Sequence, residues 1–193
     1  MIVLYESEEV DGFGKVNFLE DGAAWLGGLR VKPASRRLGV GSAITDYLIA
    51  MSITHGCKMV RMLIEDKNFR SLNLASKKGF RPLRSFRFYE GTPETSTWER
   101  TSFIASDLVC EGWAYVQLSE RYHGTGTFLM SGGNLAYVWS GHTVLVQMIR
   151  SDKSLAMNGD GITCVPAEDA GRLSNRLVPM EGFSAATVFG KQL

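Results

Sequence analysis

The sequence predicts an α/β fold built on a mixed β-sheet, and three observations support this prediction. Short β-rich runs occupy the first 31 residues. An apolar pattern with helical spacing follows from Ser42 and places Ile44, Tyr47, Leu48 and Met51 on one helix face. Strand-like and helix-like segments then alternate as far as residue 91, which is the order expected of an α/β domain.

The N-terminal strands are bounded by residues that favour turns. The predicted strands span residues 2–5, 15–19 and 23–31. Asp11-Gly12 and Asp21-Gly22 indicate turns, and Pro33 ends the third strand. The triplet Gly12-Phe13-Gly14 is interpreted as hairpin punctuation.

Two helices and two further strands complete the first part of the chain. The helix that begins near Ser42 ends at Gly56, and a buried strand is predicted over 59–65. A second, short helix is predicted within residues 68–80 and ends at Gly79. Residues 84–91 alternate in polarity and predict another strand.

The polar segment 92–98 predicts a linker between two domains, 1–91 and 99–193. The second is expected to be a smaller α+β domain with a helix over 168–178. Its predicted strands are 112–118, 143–149, 154–158, 161–165 and 182–190, with a turn at 158–161. The order of elements near the end loosely repeats residues 59–91, so a degenerate second copy of that half-fold is an open alternative.

Composition and charge argue against several classes of function. The 193 residues carry 21 Lys and Arg against 20 Asp and Glu, so no basic field favours nucleic acid. No apolar run approaches the roughly 20 residues that span a bilayer, and the N-terminus lacks signal-peptide order, which predicts a cytoplasmic protein. Cys57, Cys110 and Cys164 have no metal-binding spacing, so reduced thiols and no bound metal are expected.

The stretch RRLGVGSAI, residues 36–44, is the candidate anion site. Of the G-x-G triplets in the chain, only Gly39-Val40-Gly41 lies between a predicted strand and a predicted helix. Glycines let a ligand approach the backbone, and the unpaired N–H groups at a helix start attract an anion. Arg36, Arg37 and Ser42 add donors for phosphate oxygens. From this segment alone, a plain strand–helix turn with solvated arginines is an equal alternative.

Two familiar phosphate motifs fit this stretch badly. A P-loop requires lysine after Gly41, where Ser42 stands, and a dinucleotide fingerprint requires a third glycine where Ile44 stands. A nucleotide- or NAD-binding protein is therefore disfavoured.

Two ordered motifs lie on either side of the predicted strand 59–65. The pattern V-x-P-x-x-R-x-x-G-x-G-x-x-[LI] is matched by Val31, Pro33, Arg36, Gly39, Gly41 and Ile44. The pattern N-x-x-[AS]-x-x-L-x-x-K-x-G-F is matched by Asn68, Ser71, Leu74, Lys77, Gly79 and Phe80. Over about residues 15–91, the chain resembles the GCN5-related N-acetyltransferase (GNAT) superfamily. The resemblance implies a GNAT-like acyl-CoA N-acyltransferase core.

The resemblance also implies roles toward acetyl-CoA. Backbone groups of Leu29, Arg30 and Val31 would pair with the pantetheine arm, and the N–H near Leu29 would stabilise the oxyanion. The pyrophosphate would be wrapped by backbone N–H groups of Arg36, Arg37, Leu38, Gly39, Val40, Gly41 and Ser42. Strands 23–31 and 59–65 would splay apart to form a slot for the thioester. The far wall of the slot would be lined by Asn68, Ser71 and Ala75.

Two departures from the family pattern affect the chemistry. The tyrosine that often protonates the leaving thiolate in this family is Ala75 here, so solvent or another residue is expected to supply that proton. Only 35 residues precede Arg36, too few for the family's two opening helices and its strands. The C-terminal domain or a second subunit is therefore expected to cover the acceptor site.

Glu65 is the predicted general base, because it ends the second splayed strand, where a carboxylate could reach an incoming ammonium. Asp66 is the adjacent alternative, and Glu20, Asp21 and His123 are weaker ones. The middle region is rich in aromatic residues: Trp98, Trp113, Tyr115, Tyr122, Tyr137 and Trp139. These are interpreted as core, with an acceptor pocket for an apolar or aromatic amine as the alternative.

The predicted function is transfer of an acetyl group from acetyl-CoA to a primary amine of a small molecule or peptide. The amine would attack the thioester directly in a ternary complex. The runner-up is a non-catalytic CoA-binding sensory module that acts through its C-terminal domain. No nucleic-acid or membrane partner is expected, and a homodimer is an open alternative.

Overall fold

The computed structural model describes residues 1–6, 9–102, 108–150, 157–172 and 177–193. The chain divides into two compact units that are interleaved in sequence. Unit 1 comprises Met1–Ile64, Asn68–Leu83 and Val188–Leu193, and unit 2 comprises Glu65–Lys67 and Arg84–Thr187. The predicted domain limits, 1–91 and 99–193, stay a prediction.

Unit 1 contains the α-helices of the described chain. Its elements in order are β1 (Ile2–Glu6), β2 (Val10–Phe18), β3 (Ala23–Val31), a 3-10 turn (Pro33–Ser35), α1 (Val40–Thr54), β4 (Met59–Glu65) and α2 (Phe69–Lys77). Strand β5 (Arg81–Pro93) begins in this unit, and the last strand, β13 (Ala185–Gln192), ends in it. Strands β1, β2 and β3 are antiparallel neighbours, and β3 pairs with β4 in parallel.

Helix α1 packs against β2 because two glycines remove the side chains that would separate them. A Cβ at Gly14 would lie 2.9 Å from Ile44 Cγ2 and 3.0 Å from Leu48 Cδ1. A Cβ at Gly12 would lie 2.8 Å from the Arg30 carbonyl oxygen and 3.0 Å from Ile44 Cδ1. The interpretation of Gly12-Phe13-Gly14 as hairpin punctuation is therefore wrong, since the triplet lies inside β2 and forms the seat of the helix.

The core of unit 1 lies between this sheet and the helices. It combines residues of the strands, such as Val16, Ala24 and Val60, with Ile44 and Leu48 of α1. Ala75 of α2 and Phe80 close the same cluster, and Phe189 of β13 packs against it. The apolar spacing in α1 thus predicts the buried side of the helix at Ile44 and Leu48, although Tyr47 is 57% exposed.

Unit 2 is built from β-strands. They are β6 (Glu99–Arg100), β7 (Leu108–Glu111), β8 (Ala114–Gln117), β9 (Thr127–Ser131), β10 (Asn134–Ser140), β11 (Val144–Arg150) and β12 (Met157–Pro166). Strand β12 pairs antiparallel with β5 and parallel with β11, and β11, β10, β9 and β6 follow as antiparallel neighbours. Strands β7 and β8 form a separate hairpin.

Three predictions for the second half of the chain need correction. The strand 112–118 is instead part of the β7–β8 hairpin, because Gly112 (φ 57°) and Trp113 (φ 69°) form its two-residue turn. The turn predicted at 158–161 lies within β12, which crosses it with a register shift between Asn158 and Ile162. In the described part of 168–178, a 3-10 turn at Ala170–Arg172 replaces the predicted helix. Residues 173–176 and 154–156 lie outside the described chain.

Candidate functional site

The loop between β3 and α1 has a conformation that few sequences adopt. After the 3-10 turn, Arg36 is extended (φ −71°, ψ 148°), and Arg37 and Gly39 both have left-handed backbones, at φ 67° and 87°. Gly39 is the N-cap of α1. Left-handed φ costs free energy at an arginine, and such strain is concentrated at functional sites.

Hydrogen bonds hold the base of this loop in place. The Ser35 hydroxyl donates to the Asp11 carboxylate, and the Lys32 N–H donates to the Asp11 carbonyl at 2.7 Å. The Arg36 N–H donates to the Pro33 carbonyl and its Nε to the Val31 carbonyl, both at 3.3 Å. The loop is thus anchored to β2 and β3 before the helix begins.

The tip of the loop faces solvent at the open end of α1. Residues 36–39 are exposed, with Leu38 at 76%. The Ala43 N–H donates to the Gly39 carbonyl, so the N–H groups that precede Ala43 lie at the helix start, where an α-helix offers no internal acceptors. Two arginines beside these donors make the position suited to an anion.

The packing of the protein does not require a glycine at position 41. A Cβ there would meet Val31 Cγ2 at 3.6 Å and Leu29 Cδ2 at 3.8 Å, which are ordinary contact distances. The residue is the second of helix α1, where alanine is a better helix former. A ligand that approaches the backbone closely would explain the missing side chain.

Strand β3 carries a β-bulge next to the loop. Phe13 pairs with Arg30 and Lys15 pairs with Gly27, so Gly14 alone stands opposite Gly28 and Leu29. Gly28 is left-handed at φ 64°, which accounts for glycine at that place. This bulge is not among the features expected from the sequence, although the pair Gly27-Gly28 inside a strand is a signal for one.

Strands β3 and β4 pair only at their beginnings. The recorded partners are Ala23 with Met59, Ala24 with Val60 and Trp25 with Arg61. The bulge at residues 28–29 therefore lies in the part of β3 beyond this ladder. An opening between two strands, with backbone groups along one side and an anion loop at its end, can hold an extended ligand with a charged terminus.

Comparison with known proteins relates the N-terminal part of the chain, which contains this loop and bulge, to a family. The sequence model of the acetyltransferase (GNAT) family matches residues 1–80. Residues 1–80 are a GNAT domain. This match supports an acyltransferase activity for the protein, and enzymes of the family use acetyl-CoA as the acyl donor. No curated protein matches the sequence.

Two solved structures share the fold of the GNAT domain and of the rest of the chain. A candidate acetyltransferase from Thermoplasma acidophilum aligns over 100% of this chain and 78% of its own, with a TM-score of 0.70 and 22% identity. A GCN5-related N-acetyltransferase from Sphaerobacter thermophilus aligns over 95% of this chain and 77% of its own, with a TM-score of 0.54 and 10% identity. These likenesses confirm the predicted fold class, and the family match to residues 1–80 confirms the resemblance found in the sequence.

In the GNAT domain, the second motif caps helix α2. The Asn68 side chain accepts the Ser71 N–H at 3.2 Å and so satisfies the helix start. The Ala75 side chain is 1% exposed and belongs to the core, and its carbonyl accepts the Phe80 N–H at 3.0 Å. These contacts give all three residues a structural role, and their contact with CoA stays a prediction.

The candidate carboxylates differ in the hydrogen bonds and ion pairs that they make. Glu65 is the last residue of β4 and is half-buried. Asp66 accepts from Arg87 at 3.2 Å and from the Thr187 hydroxyl at 3.1 Å, so its carboxylate serves structure. Asp21 forms a buried ion pair with Arg61 and also accepts the Ala23 N–H. The role of Glu65 as general base stays a prediction.

The surroundings of His55 and His123 are structural. The His55 ring stacks on Phe18 with centroids 3.6 Å apart, at the C-terminus of α1. His123 is exposed, and its Nε2 lies 3.1 Å from the Glu120 carbonyl. Neither contact orients a histidine toward proton transfer.

The triplet Gly124-Thr125-Gly126 belongs to a polar network in unit 2. One oxygen of Glu111 accepts from the Thr125 N–H at 2.6 Å and from the Tyr137 hydroxyl, which in turn accepts the Gly126 N–H at 2.6 Å. Burial, followed by the bond to Glu111, raises the pKa of Tyr137 far above its usual range. The network fixes the 124–126 loop, so these glycines serve packing.

The cysteines and several aromatic residues of unit 2 are core. Cys110 and Cys164 are buried, and the contact with Cys164 together with burial raises the pKa of the Cys110 thiol. Tyr115 and Tyr137 are 0% exposed. Trp113 is half-buried and packs edge-on against Phe183, with centroids 5.7 Å apart. Among the described residues, no helix is long and apolar enough to cross a membrane, and no group of acidic, His or Cys side chains could hold a metal.

Proposed function

We propose that the protein transfers an acetyl group from acetyl-CoA to a primary amine, by direct attack in a ternary complex. The observation that carries the proposal is the succession, along residues 25–42, of the end of the β3–β4 ladder, the bulge in β3 and the loop before α1. Each part matches one need of the reaction: an oxyanion donor, a slot for the thioester arm and a cradle for the pyrophosphate.

The loop would hold the pyrophosphate. Backbone N–H groups of Arg36, Arg37, Leu38, Gly39, Val40, Gly41 and Ser42 would donate to its oxygens. The charges of Arg36 and Arg37 would strengthen those bonds. The missing side chain at Gly41 would let the phosphate reach the backbone.

Strand β3 would hold the thioester. The backbone of Leu29, Arg30 and Val31 would pair with the amides of the pantetheine arm. A bulge leaves one residue out of the ladder, so the Leu29 N–H would be available to stabilise the tetrahedral oxyanion. Asn68, Ser71 and Ala75 would line the opposite side.

Glu65 would remove the proton from the incoming ammonium, directly or through a water molecule. The neutral amine then attacks the carbonyl carbon, the C–S bond breaks, and the thiolate leaves. Solvent would protonate that thiolate, because Ala75 occupies the position where the family often has tyrosine. The acceptor would be a small-molecule or peptide amine. A cytoplasmic location remains a prediction, and the oligomeric state stays open between monomer and homodimer.

A binding experiment with a matched control tests the cradle. Gly41→Asp places a carboxylate among the phosphate donors, whereas Gly171→Asp places one where a Cβ meets nothing within 4 Å. CoA at one hundred times its dissociation constant should stabilise the protein by about 2.7 kcal/mol. We expect this thermal shift in the natural protein and in Gly171→Asp, and its loss in Gly41→Asp. Equal shifts in all three proteins would refute the cradle.

Thiol release in the presence of amines separates catalysis from binding. Acetyl-CoA with an amine panel should release CoA thiol, and Glu65→Gln should lose at least about tenfold in kcat while keeping its thermal shift. Binding without amine-dependent thiol release would instead favour a CoA-sensing module. That outcome would refute the transferase proposal and leave the cradle intact.

A further inference from the structure

The helices of unit 1 cover one face of its sheet. Helix α1 rests on Gly12 and Gly14 of β2. Helix α2 lies on the same side, because Leu74 Cδ2 is 3.9 Å from a Cβ at Gly41 and Lys78 pairs with Asp46 of α1. Within the described residues of unit 1, both helices therefore leave the opposite face of β1–β3 uncovered.

The strand register assigns residues to this uncovered face. Phe13 and Lys15 alternate with the helix-facing glycines of β2 and are exposed. Leu4 and Arg30 are the partners of Phe13 on either side, and Ile2 is the partner of Lys15. Because paired residues share a face, these five side chains form one surface, which combines an apolar part with two cations.

Lys15 lies directly across the bulge of β3. A Cβ at Gly28 would be 3.5 Å from Lys15 Cγ and 3.8 Å from its Cε, and a Cβ at Gly27 would be 3.5 Å from Cε. The apolar stem of the lysine thus covers both glycines, and its ammonium extends beyond them. The cation is therefore held within one side-chain length of the backbone that would stabilise the oxyanion.

Among the described residues, the acids near this surface are bound to groups other than Lys15 and Arg30. Glu9 pairs with Lys32, and one oxygen of Asp11 accepts from Ser35. In the described part of the chain, none of the ion pairs contains Lys15, and the Arg30 Nη1 donates to the Leu29 carbonyl at 3.0 Å. An anionic group placed here would meet two cations.

A cavity lies beside this surface, where β2 begins and β3 ends. Its volume is about 280 Å³, and its lining combines Val10 and Phe13 with Asp11, Arg30 and Lys32. That volume suits a small molecule. The apolar lining beside Arg30 suits a ligand with a short hydrocarbon part.

We propose that Lys15 selects the acceptor, and that the acceptor is a small amine that also carries a carboxylate. This inference rests on the proposed acetyl transfer. With the helices on one face, the acceptor reaches the bulge from the other, where Lys15 and Arg30 bind its carboxylate and direct its amine toward the thioester. Lys15 is a specificity-determining residue, and the bonds made and broken are those of the transfer itself.

The experiment compares ω-amino carboxylates with ω-amino alcohols of the same chain length, because their amines have similar basicity. For each pair, kcat/KM is measured with saturating acetyl-CoA. The natural protein should prefer the carboxylates by at least about tenfold, since a charged hydrogen bond is lost with the alcohol. Lys15→Met keeps the apolar stem and should remove most of the preference, with an unchanged CoA thermal shift.

Lys15→Glu should change which acceptor is preferred, a result that a misfolded protein could not give. This variant should turn the preference toward diamines, because the reversed charge attracts a second ammonium. Lys58→Met removes an exposed lysine at the turn before β4 and should retain the natural preference. The natural preference should also shrink as ionic strength rises.

The outcomes separate the two proposals. Transfer to amines without a preference for carboxylates overturns the role of Lys15 alone, as does an unchanged preference in Lys15→Met and Lys15→Glu. Failure of the natural protein to acetylate any amine overturns the proposed function and this inference with it.

Discussion

Arg37 stores strain at the centre of the anion loop. Its left-handed φ of 67° places a Cβ where glycine is normally found, at a cost of about 1 kcal/mol. Neighbouring Arg36 has the same side chain on an ordinary extended backbone. The pair therefore allows the cost of the backbone to be separated from the effect of the charge.

Replacing each arginine by glycine should affect stability in different ways. Arg37→Gly should leave the free energy of unfolding unchanged or raise it by up to about 1 kcal/mol, because strain is relieved. Arg36→Gly should lower it by about 1–2 kcal/mol, because chain entropy is added and the hydrogen bond from Nε to the Val31 carbonyl is lost. Urea denaturation measures both values, and equal destabilisation would show that Arg37 is not strained.

Both variants should bind CoA more weakly than the natural protein, by about tenfold each, because each loses one charge beside the pyrophosphate. Calorimetric titration with CoA provides this measurement. If Arg37→Gly is more stable than the natural protein yet binds CoA less tightly, the strained arginine serves CoA binding at the expense of stability.

At the scale of elements, the close seat of α1 on β2 depends on Gly14. Gly14→Ala should lower the free energy of unfolding by about 1–3 kcal/mol, because the new methyl group overlaps Ile44 and Leu48. Gly171→Ala is the control, since its Cβ meets nothing within 4 Å, and it should change stability by less than about 0.5 kcal/mol. Thermal or urea unfolding that fails to distinguish the two variants would contradict this account of the packing.

Elements with strong local signals were predictable from sequence. Strands 23–31 and 59–65 agree with β3 and β4 because each is a β-rich run bounded by turn residues or proline. The two motifs in the GNAT domain could be recognised from sequence because they require particular residue types at the end of a strand and at the starts of helices. The loop was therefore placed correctly before its backbone was known.

Other features depend on partners that are distant in sequence, so the local sequence could not predict them. Asn158 to Gly161 has the composition of a turn, yet β5 pairs with residues on both sides and draws them into one strand. Trp113 adopts a left-handed φ that its residue type disfavours, so the hairpin of β7 and β8 was missed. Asp21 looks like a loop carboxylate until its partner Arg61, 40 residues away, is seen beside it.

At the scale of the whole molecule, unit 1 is completed by the last strand. Phe189 packs against the core of the unit, a Cβ at Gly190 would lie 2.7 Å from Leu83 Cδ1, and the Leu193 N–H donates to the Lys58 carbonyl at 3.0 Å. Sequence gave no sign that a segment more than one hundred residues beyond Leu83 would return to this unit.

Removing residues 188–193 should therefore unfold the GNAT domain although the deletion lies far from its motifs. We expect loss of the CoA thermal shift and of cooperative unfolding, because a strand and part of the core are removed. Removing Leu193 alone costs one hydrogen bond and should leave both properties in place. A chain that ends at Thr187 and still binds CoA would contradict this dependence.

The interleaved order of the units also constrains when the protein can fold during its synthesis. The ribosome makes the anion loop early, but Val188–Leu193 is made only after all of residues 84–187. A nascent chain cannot complete unit 1 until then, so an incomplete product should have no working cradle. A nascent chain interrupted late in translation would thus be unable to sequester CoA, and acyl transfer should begin only after residues 188–193 have been synthesised.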